Sequence, residues 1–382
     1  MTGQDKKLCV GFNARLLVEP RARGWNRYTI NLLRKLPACG VSLRLYAGAE
    51  VHRDYLALLP EGSFTVVVAP PMRYGRWLWK WLPARLAGDG VDVFHAPFNF
   101  GLPPRSCCPR VLTLHDAIPQ VYARRRSRTW RPPALGGLRS RFDHWLSRRR
   151  ADRIITVSGA SRSDIVRVLG VPPHKVVVIG EAPDDRFLEP VSDDARRSVR
   201  QRHGLGGRYI VYVGGWEDRK NVGFLVRALA QARLDDTALV LAGGNDDQRT
   251  SLRAQADALG LGDRVLLLGW VDDAELPALM AEALCFVYPS EYEGFGLQLC
   301  EAMAVGCPCL AARATSLPEV LGSGGETFTL ENTDELAALL RRVAGEAAFR
   351  DDLAVRARRR ARDFSWTRAA EETTRVYRAL IA

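Results

Sequence analysis

Two glutamates, Glu293 and Glu301, stand eight positions apart around the start of a predicted helix. Carboxylates at this spacing could bracket one polyhydroxylated ligand, since each accepts hydrogen bonds from hydroxyl groups. Gly294 and Gly296 between them let the backbone approach a ligand closely, and the free amides at a helix start favour an anion. A capped helix with two surface glutamates is the competing interpretation, and the spacing alone does not separate the two.

A second loop carries two adjacent cations, Arg219 and Lys220, directly before another predicted helix. The glycine pair Gly214 and Gly215 precedes them. Glycines followed by cations at a helix start suit a diphosphate group. A solvated turn, in which the two cations pair with the neighbouring acidic residues, is the competing interpretation.

A third pair, His115 and Asp116, lies at the carboxyl end of a predicted strand. An imidazole there could donate to a sugar hydroxyl or act as an acid or base, and it could equally be structural. The sequence has no Asp-x-Asp near a predicted strand end and no cluster of His and Asp. A departing phosphate would therefore be stabilised by Lys, Arg and backbone amides without a metal.

The elements that must position these loops are short apolar runs alternating with helical stretches. Nearly continuous apolar strands between helices are typical of parallel sheets covered on both faces. A polar interval at residues 181–205 divides the runs into two series. The predicted strands are Leu8–Phe12, Ser42–Ala47, Thr65–Val68, Val91–His95, Val111–His115, Arg153–Val157 and Lys175–Ile179, then Tyr209–Val213, Ala238–Ala242, Val265–Leu268, Ala283–Tyr288, Pro308–Ala311 and Gly325–Phe328.

This alternation predicts an α/β protein of two doubly wound domains, residues 1–185 and 186–363. A C-terminal segment, residues 364–382, follows them. Within it Trp366–Leu380 has the three-to-four spacing of a packing helix. Ligands of such sheets bind at the carboxyl ends of strands, where all three loops lie.

The net charge of +12 is unevenly divided along the 382 residues. Residues 1–150 hold 26 Lys and Arg against 9 Asp and Glu, a net +17, whereas residues 151–382 hold 29 against 34, a net −5. A field of this kind attracts anions such as nucleic acid, acidic lipid or phosphorylated small molecules. A nucleic-acid-binding protein would leave the acidic half and the paired glutamates without a role, so we expect no nucleic-acid partner.

Two stretches carry much of the positive excess. Residues 73–81 mix cations with aromatics, and Trp77 and Trp81 would share one face of a helix. Residues 124–150 contain ten arginines. Together they favour docking on anionic lipid. Packing of the tryptophan face in the core, and arginines that only solubilise the domain, are the alternatives.

The sequence predicts a cytoplasmic protein. No apolar run reaches the ~18 residues that span a bilayer, and the N-terminus leads into a strand without a signal peptide. The eight cysteines lack C-x-x-C spacing and are predicted to be scattered thiols rather than a zinc site. Docking of the basic domain would place the protein peripherally on the cytoplasmic face of the inner membrane.

Taken in order, the three loops and their flanking segments resemble retaining glycosyltransferase family 4. Glu293–Glu301 is similar to the E-x7-E motif of that family, and the resemblance covers nearly the whole chain. The segments that carry it are residues 8–17, 24–33, 94–97, 113–119, 151–158, 212–221, 241–244, 268–271 and 364–366.

The resemblance implies the GT-B fold of two facing Rossmann-like domains. The N-terminal domain would bind the acceptor, the C-terminal domain would bind a nucleotide-sugar donor, and the C-terminal helix would pack back on the N-terminal domain. It implies metal-independent, retaining transfer of a hexose or deoxyhexose to a lipid-linked or oligosaccharide acceptor, such as a polyprenyl-diphosphate glycan, in surface polysaccharide synthesis. A GDP-sugar of the mannose type is favoured, and UDP and dTDP stay open. A nucleotide-sugar epimerase or phosphorylase of the same plan, or a non-catalytic nucleotide-sugar-binding subunit, is the alternative.

The same resemblance implies roles for individual residues. Glu301 would bind ribose hydroxyls, Glu293 would contact the transferred sugar or act as its nucleophile, and Lys220, helped by Arg219, would neutralise the departing diphosphate. His115 would reach the donor sugar from the opposite domain. The other donor-binding positions are Gly24, Gly214, Gly215, the base-framing Gly269, Trp270 and Val271, and the amides of Gly294, Phe295, Gly296 and Leu297, with Asp116 and Ser158 as candidate acceptor contacts.

Overall fold

A computed structural model describes residues 7–19, 24–125, 135–244 and 246–382, with the side chains of residues 122–125, 135–141, 246 and 247 outside that description. The chain divides into two compact units, residues 1–181 with 365–382, and residues 182–364. The C-terminal helix therefore belongs to the first unit. No helix within the described ranges is long and apolar enough to cross a membrane.

Each unit is built on one parallel sheet, as the sequence predicts. The first sheet has seven strands in the order β3-β2-β1-β4-β5-β6-β7, and the second has six in the order β10-β9-β8-β11-β12-β13. Every predicted strand is present, and its ends move by at most two residues. The strands are β1 (Leu8–Asn13), β2 (Val41–Ala47), β3 (Phe64–Val68), β4 (Val93–Ala96), β5 (Arg110–Thr113), β6 (Arg153–Thr156), β7 (Val176–Val178), β8 (Arg208–Val213), β9 (Thr237–Ala242), β10 (Val265–Gly269), β11 (Cys285–Tyr288), β12 (Cys309–Ala312) and β13 (Gly325–Phe328).

The helices that connect the strands differ widely in length. The shortest are single turns and the longest have 16 residues. Those in the described ranges are α1 (Gly24–Lys35), α2 (Arg53–Leu56), α3 (Tyr74–Arg76), α4 (Leu82–Gly88), α5 (Ile118–Arg125), α6 (Leu135–Arg150), α7 (Gly159–Leu169), α8 (Asp193–Arg202), α9 (Val222–Ala232), α10 (Asp246–Ala258), α11 (Leu276–Ala281), α12 (Leu297–Ala304), α13 (Leu317–Leu321), α14 (Thr333–Gly345), α15 (Ala347–Ala361) and α16 (Trp366–Ile381).

Each sheet reverses its strand order at one place. In the first sheet β1 lies between β2 and β4, and in the second β8 lies between β9 and β11. Loops leave such neighbouring strands in opposite directions, which opens a crevice at their carboxyl ends where doubly wound proteins bind ligands. The loops after β1 and β4, and after β8 and β11, therefore mark one candidate crevice in each unit.

The segment Trp77–Trp81 is a π-helical turn between α3 and α4. Trp77 is 1% exposed and packs with Leu78, Leu82 and Leu86 in the core of the first unit, and Trp81 lies against the same cluster. The expectation that the Trp77–Trp81 face docks on lipid is therefore wrong. Apolar residues continue this face into α4 as one buried stripe, so packing against the sheet buries the Trp77 ring and leaves the Trp81 ring half-buried.

The C-terminal helix α16 is tied to the first sheet by a buried polar contact. His95 Nδ1 lies 2.6 Å from the hydroxyl of Tyr377, and His95 Nε2 lies 2.8 Å from Thr113 Oγ1. Burial, together with the nearby His115, lowers the pKa of His95 to about 3, so its ring is neutral. A neutral imidazole serves here as one donor and one acceptor, and it joins α16 to β4 and β5.

Candidate functional site

The loops after β8 and β11 meet through an ion pair in the second unit. Lys220 Nζ donates to Glu293 Oε1 at 2.7 Å, and Arg219 Nη1 donates to the same oxygen at 3.3 Å. Lys220 is 6% exposed and Glu293 is 8% exposed. Burial acts to raise the pKa of Glu293, but the two cations more than offset it and hold that pKa below its ordinary value. The structure thus brings three sequence-predicted residues together as a charged cluster.

The local backbone explains how the cations reach this position. Residues 218–220 form a 3-10 turn, and Asn221 then takes a left-handed conformation (φ 52°) before α9 begins. Asparagine tolerates this conformation better than most residues. The amide of Glu291 donates to the carbonyl of Arg219 at 2.8 Å, so the two loops are also joined through their backbones.

Tyr288, the last residue of β11, completes the surroundings of the lysine. Lys220 Nζ donates to its hydroxyl at 3.2 Å, and that hydroxyl donates to Gln298 Oε1 at 2.9 Å. Burial raises the pKa of Tyr288 well above its ordinary value, with the charge of Glu293 adding to the effect, so the group stays a neutral hydroxyl. Sequence reasoning treated Tyr288 only as a strand end, although that position places it beside the loop.

Thr315 and Ser316, in the loop after β12, hold the Glu293 loop by its backbone. The amide of Glu293 donates to Thr315 Oγ1 at 3.0 Å, and the Ser316 hydroxyl lies 3.0 Å from the Glu293 carbonyl and 2.9 Å from that of Phe295. Thr315 has φ +46°, which is strained for a β-branched residue and costs on the order of 1–3 kcal/mol. Sequence reasoning missed both residues, because Ser316 before Leu317 and Pro318 has the pattern of an ordinary helix cap.

The start of α12 lies directly after this loop. Gly296 has φ +104°, and a Cβ atom there would approach a Leu317 methyl carbon to 2.9 Å, so the position requires glycine. The first amides of α12 have no acceptor within the helix and therefore suit an anion. Glu301, further along α12, is fully buried. The competing interpretation of two surface glutamates is therefore wrong for Glu293 and for Glu301.

Glycine pairs end the neighbouring strands of the same sheet. The amide of Gly214 donates to the carbonyl of Ala242, and the amide of Gly243 donates to the carbonyl of Gly269. The carbonyl of Gly215 accepts a hydrogen bond from the Tyr212 hydroxyl at 2.6 Å. These bonds fix the ends of β8, β9 and β10 as one edge. At this edge Trp270 is 64% exposed and Val271 is buried.

His115 lies in the first unit, two residues after β5. Its Nδ1 is 3.2 Å from Glu181 Oε1, its Nε2 is 3.0 Å from the carbonyl of Pro97, and its amide donates to Asn99 Oδ1 at 2.8 Å. Both ring nitrogens thus face acceptors. A sugar hydroxyl would have to compete with one of them for a ring N–H. Glu181 was missed because 66 residues separate it from His115 and no local pattern joins them.

The remaining predicted positions also lie in the first unit. The Ser158 hydroxyl caps α7 by accepting the Ser161 amide at 3.0 Å, and it is 1% exposed. Asp116 Oδ1 accepts the Ile118 amide at 3.0 Å. Gly24 is the exposed first residue of α1. Within the ranges that the structure describes, no group of three or more His, Cys, Asp or Glu side chains could hold a metal ion.

Comparisons with known proteins follow the same division of the chain. The family model described as Glycosyltransferase Family 4 matches residues 22–185, and the model described as Glycosyl transferases group 1 matches residues 195–360. O-antigen chain mannosyltransferase B of Escherichia coli is 31% identical over 388 residues, which cover 94% of this chain and 96% of that protein. The chain belongs to glycosyltransferase family 4.

A second relative of this glycosyltransferase is similar over part of both chains. MMP alpha-(1->4)-mannosyltransferase of Mycolicibacterium hassiacum is 35% identical over 239 residues, which cover 61% of this chain and 56% of that protein. Among solved structures, Anabaena Alr3699/HepE in complex with UDP and glucose has a TM-score of 0.76 at 21% identity, covering 98% of this chain and 100% of that one. WaaG, a glycosyltransferase involved in lipopolysaccharide biosynthesis, has a TM-score of 0.71 at 19% identity, covering 97% and 99%. The predicted GT-B fold and the predicted enzyme class are confirmed.

Proposed function

We propose that this glycosyltransferase moves a mannose-type sugar from a GDP-sugar to a growing surface polysaccharide, with retention of anomeric configuration. Its main support is the buried Lys220–Glu293 pair beside the first amides of α12, at the strand-order reversal of the second sheet. The name of the 31% identical relative, an O-antigen chain mannosyltransferase, supports the sugar and the pathway. The solved HepE structure contains UDP rather than GDP, so the base of the donor is the first property to test.

In this proposal the donor lies along the carboxyl edge of the second sheet. Lys220 and Arg219 neutralise the diphosphate, together with the amides at the start of α12. Glu293 accepts hydroxyls of the transferred sugar, and Glu301 accepts those of the ribose. The base lies against residues 269–271, where the exposed Trp270 indole offers a stacking surface.

The chemistry we propose is attack on the face from which the leaving group departs. The acceptor hydroxyl forms a bond to the anomeric carbon as the bond to the diphosphate oxygen breaks, and its proton passes to a diphosphate oxygen. The cations stabilise charge that develops on that leaving group. Glu293 as a covalent nucleophile is the less favoured route, because Lys220 and Arg219 both donate to one of its oxygens and lower its nucleophilicity.

We also propose peripheral docking on anionic membrane through α6. Phe142 and Trp145 are 48% and 44% exposed, their rings stack at 5.8 Å, and the Arg149 guanidinium lies 5.2 Å from the Trp145 ring centroid. Aromatic rings beside cations are typical of surfaces that lie in the headgroup region. Residues 126–134 of the arginine-rich segment lie outside the described residues, as do the side chains of Arg124, Arg125, Arg139 and Arg141.

Vesicle co-sedimentation tests the docking proposal. The protein should bind vesicles rich in anionic lipid and should bind zwitterionic vesicles weakly. Phe142→Ser with Trp145→Ser should reduce the bound fraction, while Val355→Ser, an exposed apolar residue in the second unit, serves as the matched control. Equal binding to both vesicle types would reject the proposal.

A product assay tests the function itself. The purified enzyme is incubated with GDP-mannose, UDP-glucose or dTDP-rhamnose and a polyprenyl-diphosphate-linked oligosaccharide. We expect release of GDP in step with glycan extension, and an anomeric configuration in the product that matches the donor by NMR. An epimerised donor without extension would favour the epimerase alternative, and binding without turnover would favour a non-catalytic subunit.

A further inference from the structure

Aromatic rings line the strand-order reversal of the first sheet. Trp25, the second residue of α1, lies 6.5 Å from Phe98 and 6.4 Å from Phe100, both in the loop after β4. The Phe100 ring lies 5.0 Å from the ring of His144 on α6. Trp25 is also stacked 6.1 Å from His115. Rings from three elements thus meet beside the carboxyl ends of β4 and β5.

The loop that carries Phe98 and Phe100 is held from several sides. Asn99 accepts the amide of His115, and the Ser147 hydroxyl accepts the amide of Gly101 at 3.1 Å. The Asn13 side chain donates to the Gly101 carbonyl at 3.0 Å and is 1% exposed. Gly101 has φ +94°, and a Cβ atom there would lie 2.6 Å from the Asn13 nitrogen. The loop is therefore a rigid support, set before any ligand arrives.

The exposure of the rings separates this cluster from ordinary core. Phe98 is buried beneath, whereas Trp25, Phe100 and His144 are half-buried and keep part of their surface toward solvent. Burial, with the charge of Arg148, lowers the pKa of His144 to about 4, so its ring is uncharged at neutral pH. A half-exposed set of neutral aromatic rings at a ligand crevice suits a ligand with one apolar face and polar edges.

A pyranose ring has that character, since its axial C–H groups form an apolar face and its hydroxyls point outward. We propose that Trp25, Phe100 and His144 form a platform on which the terminal sugar of the acceptor stacks. This inference rests on the proposed function, and it adds the residues that hold the terminal sugar of the acceptor glycan. The apolar ring faces suit the sugar itself, and Arg148, whose charge acts on His144, lies near the same rings.

The position of the platform on α6 fits a lipid-linked glycan. His144 contributes to the platform, while Phe142 and Trp145 of the same helix are exposed. A short lipid-linked glycan whose lipid lies in the membrane beside Phe142 and Trp145 would therefore present its terminal sugar near the platform. The stacking surface and the docking face are parts of one helix.

Saturation-transfer NMR with methyl α-mannoside, methyl α-glucoside and methyl N-acetylglucosaminide tests the platform directly. At least one glycoside should receive saturation mainly at protons on one ring face, and those protons should shift upfield from the indole ring current. Trp25→Leu should abolish the effect and Trp25→Phe should retain part of it. Trp79→Leu, an exposed tryptophan of the same unit, should leave it unchanged. Equal saturation in Trp25→Leu and wild type would overturn the inference.

Kinetics supply the second readout. Trp25→Leu should raise the KM for a glycan acceptor by about tenfold, as expected for losing one aromatic contact worth about 1.4 kcal/mol, while GDP affinity stays within twofold. An unchanged acceptor KM, or an equal loss of GDP affinity, would contradict the platform. If Trp25→Leu does not fold, Phe100→Leu replaces it. If the wild type transfers no sugar, the proposed function fails, and the NMR result still decides whether the platform binds a pyranose.

Discussion

Replacing Lys220 with methionine should separate the structural role of the buried ion pair from its chemical role. Methionine keeps much of the volume of the side chain and removes the charge. Glu293 then loses its 2.7 Å partner and keeps the 3.3 Å contact with Arg219. A buried carboxylate that loses its main cation typically costs about 3–5 kcal/mol of unfolding free energy. Because Arg219 remains, we expect a loss near the lower end of that range.

The double variant Lys220→Met with Glu293→Gln decides whether this loss comes from the unpaired charge. Replacing both partners leaves no buried charge uncompensated, so the double variant should be more stable than Lys220→Met alone. In the second unit, a change of about 3 kcal/mol should lower the unfolding midpoint by roughly 6–12 °C. Thermal and urea unfolding of the four proteins gives the coupling energy.

Activity is then measured under conditions in which each variant is folded. Lys220→Met should lower kcat by on the order of a hundredfold or more, the loss expected for one preorganised donor to a developing charge. The stable double variant should be no more active than Lys220→Met. Near-wild-type kcat in a folded Lys220→Met protein would refute the role given to this lysine. A double variant less stable than either single one would refute the charge argument.

Three further predictions concern the same loop. The pKa of Glu293 is lower in the folded state, so its contribution to stability is present above its unfolded pKa of about 4.5 and is lost as the pH falls through the folded value. The gap in unfolding free energy between wild type and Glu293→Gln should therefore shrink from pH 6 to pH 3. A constant gap in urea titrations would contradict this. Thr315→Val should lower kcat about tenfold and lower the unfolding free energy by about 1–3 kcal/mol, because the Glu293 amide loses its acceptor. Thr315→Ser keeps the hydroxyl and should stay near wild type in steady-state assays. Identical behaviour of the two variants would show that the hydroxyl does not support the site. Tyr288→Phe should cost about 0.5–1.5 kcal/mol in unfolding free energy and lower kcat less than Lys220→Met does; a larger loss of kcat would place the phenol rather than the lysine at the reacting phosphate.

The sheets could be predicted from the sequence because both faces of a parallel sheet are buried. Strands such as β8 and β11 are therefore continuous apolar runs, and the polar residues that follow them mark their carboxyl ends. Lys220 and Glu293 were found in this way, each on the first loop after its strand. The pairing of the two strands, which the sequence does not state, brings these loops together.

The supporting residues could not be found in the same way, because their contacts join distant parts of the chain. Thr315 reaches Glu293 across 22 positions, and Glu181 reaches His115 across 66. Neither pair has a local pattern. The sequence also could not decide whether the Trp77–Trp81 face packs in the core or faces a membrane, since an aromatic and basic stretch fits both equally well. Only the packing of α4 against the sheet decides it.

The most direct test of the whole account is the position of GDP-mannose in a crystal of the enzyme. We expect a diphosphate oxygen within hydrogen-bonding distance, about 3 Å, of Lys220 Nζ and of an amide at the start of α12, with the ribose hydroxyls on Glu301. A donor seated elsewhere, with its diphosphate away from Lys220 and its ribose away from Glu301, would contradict the account.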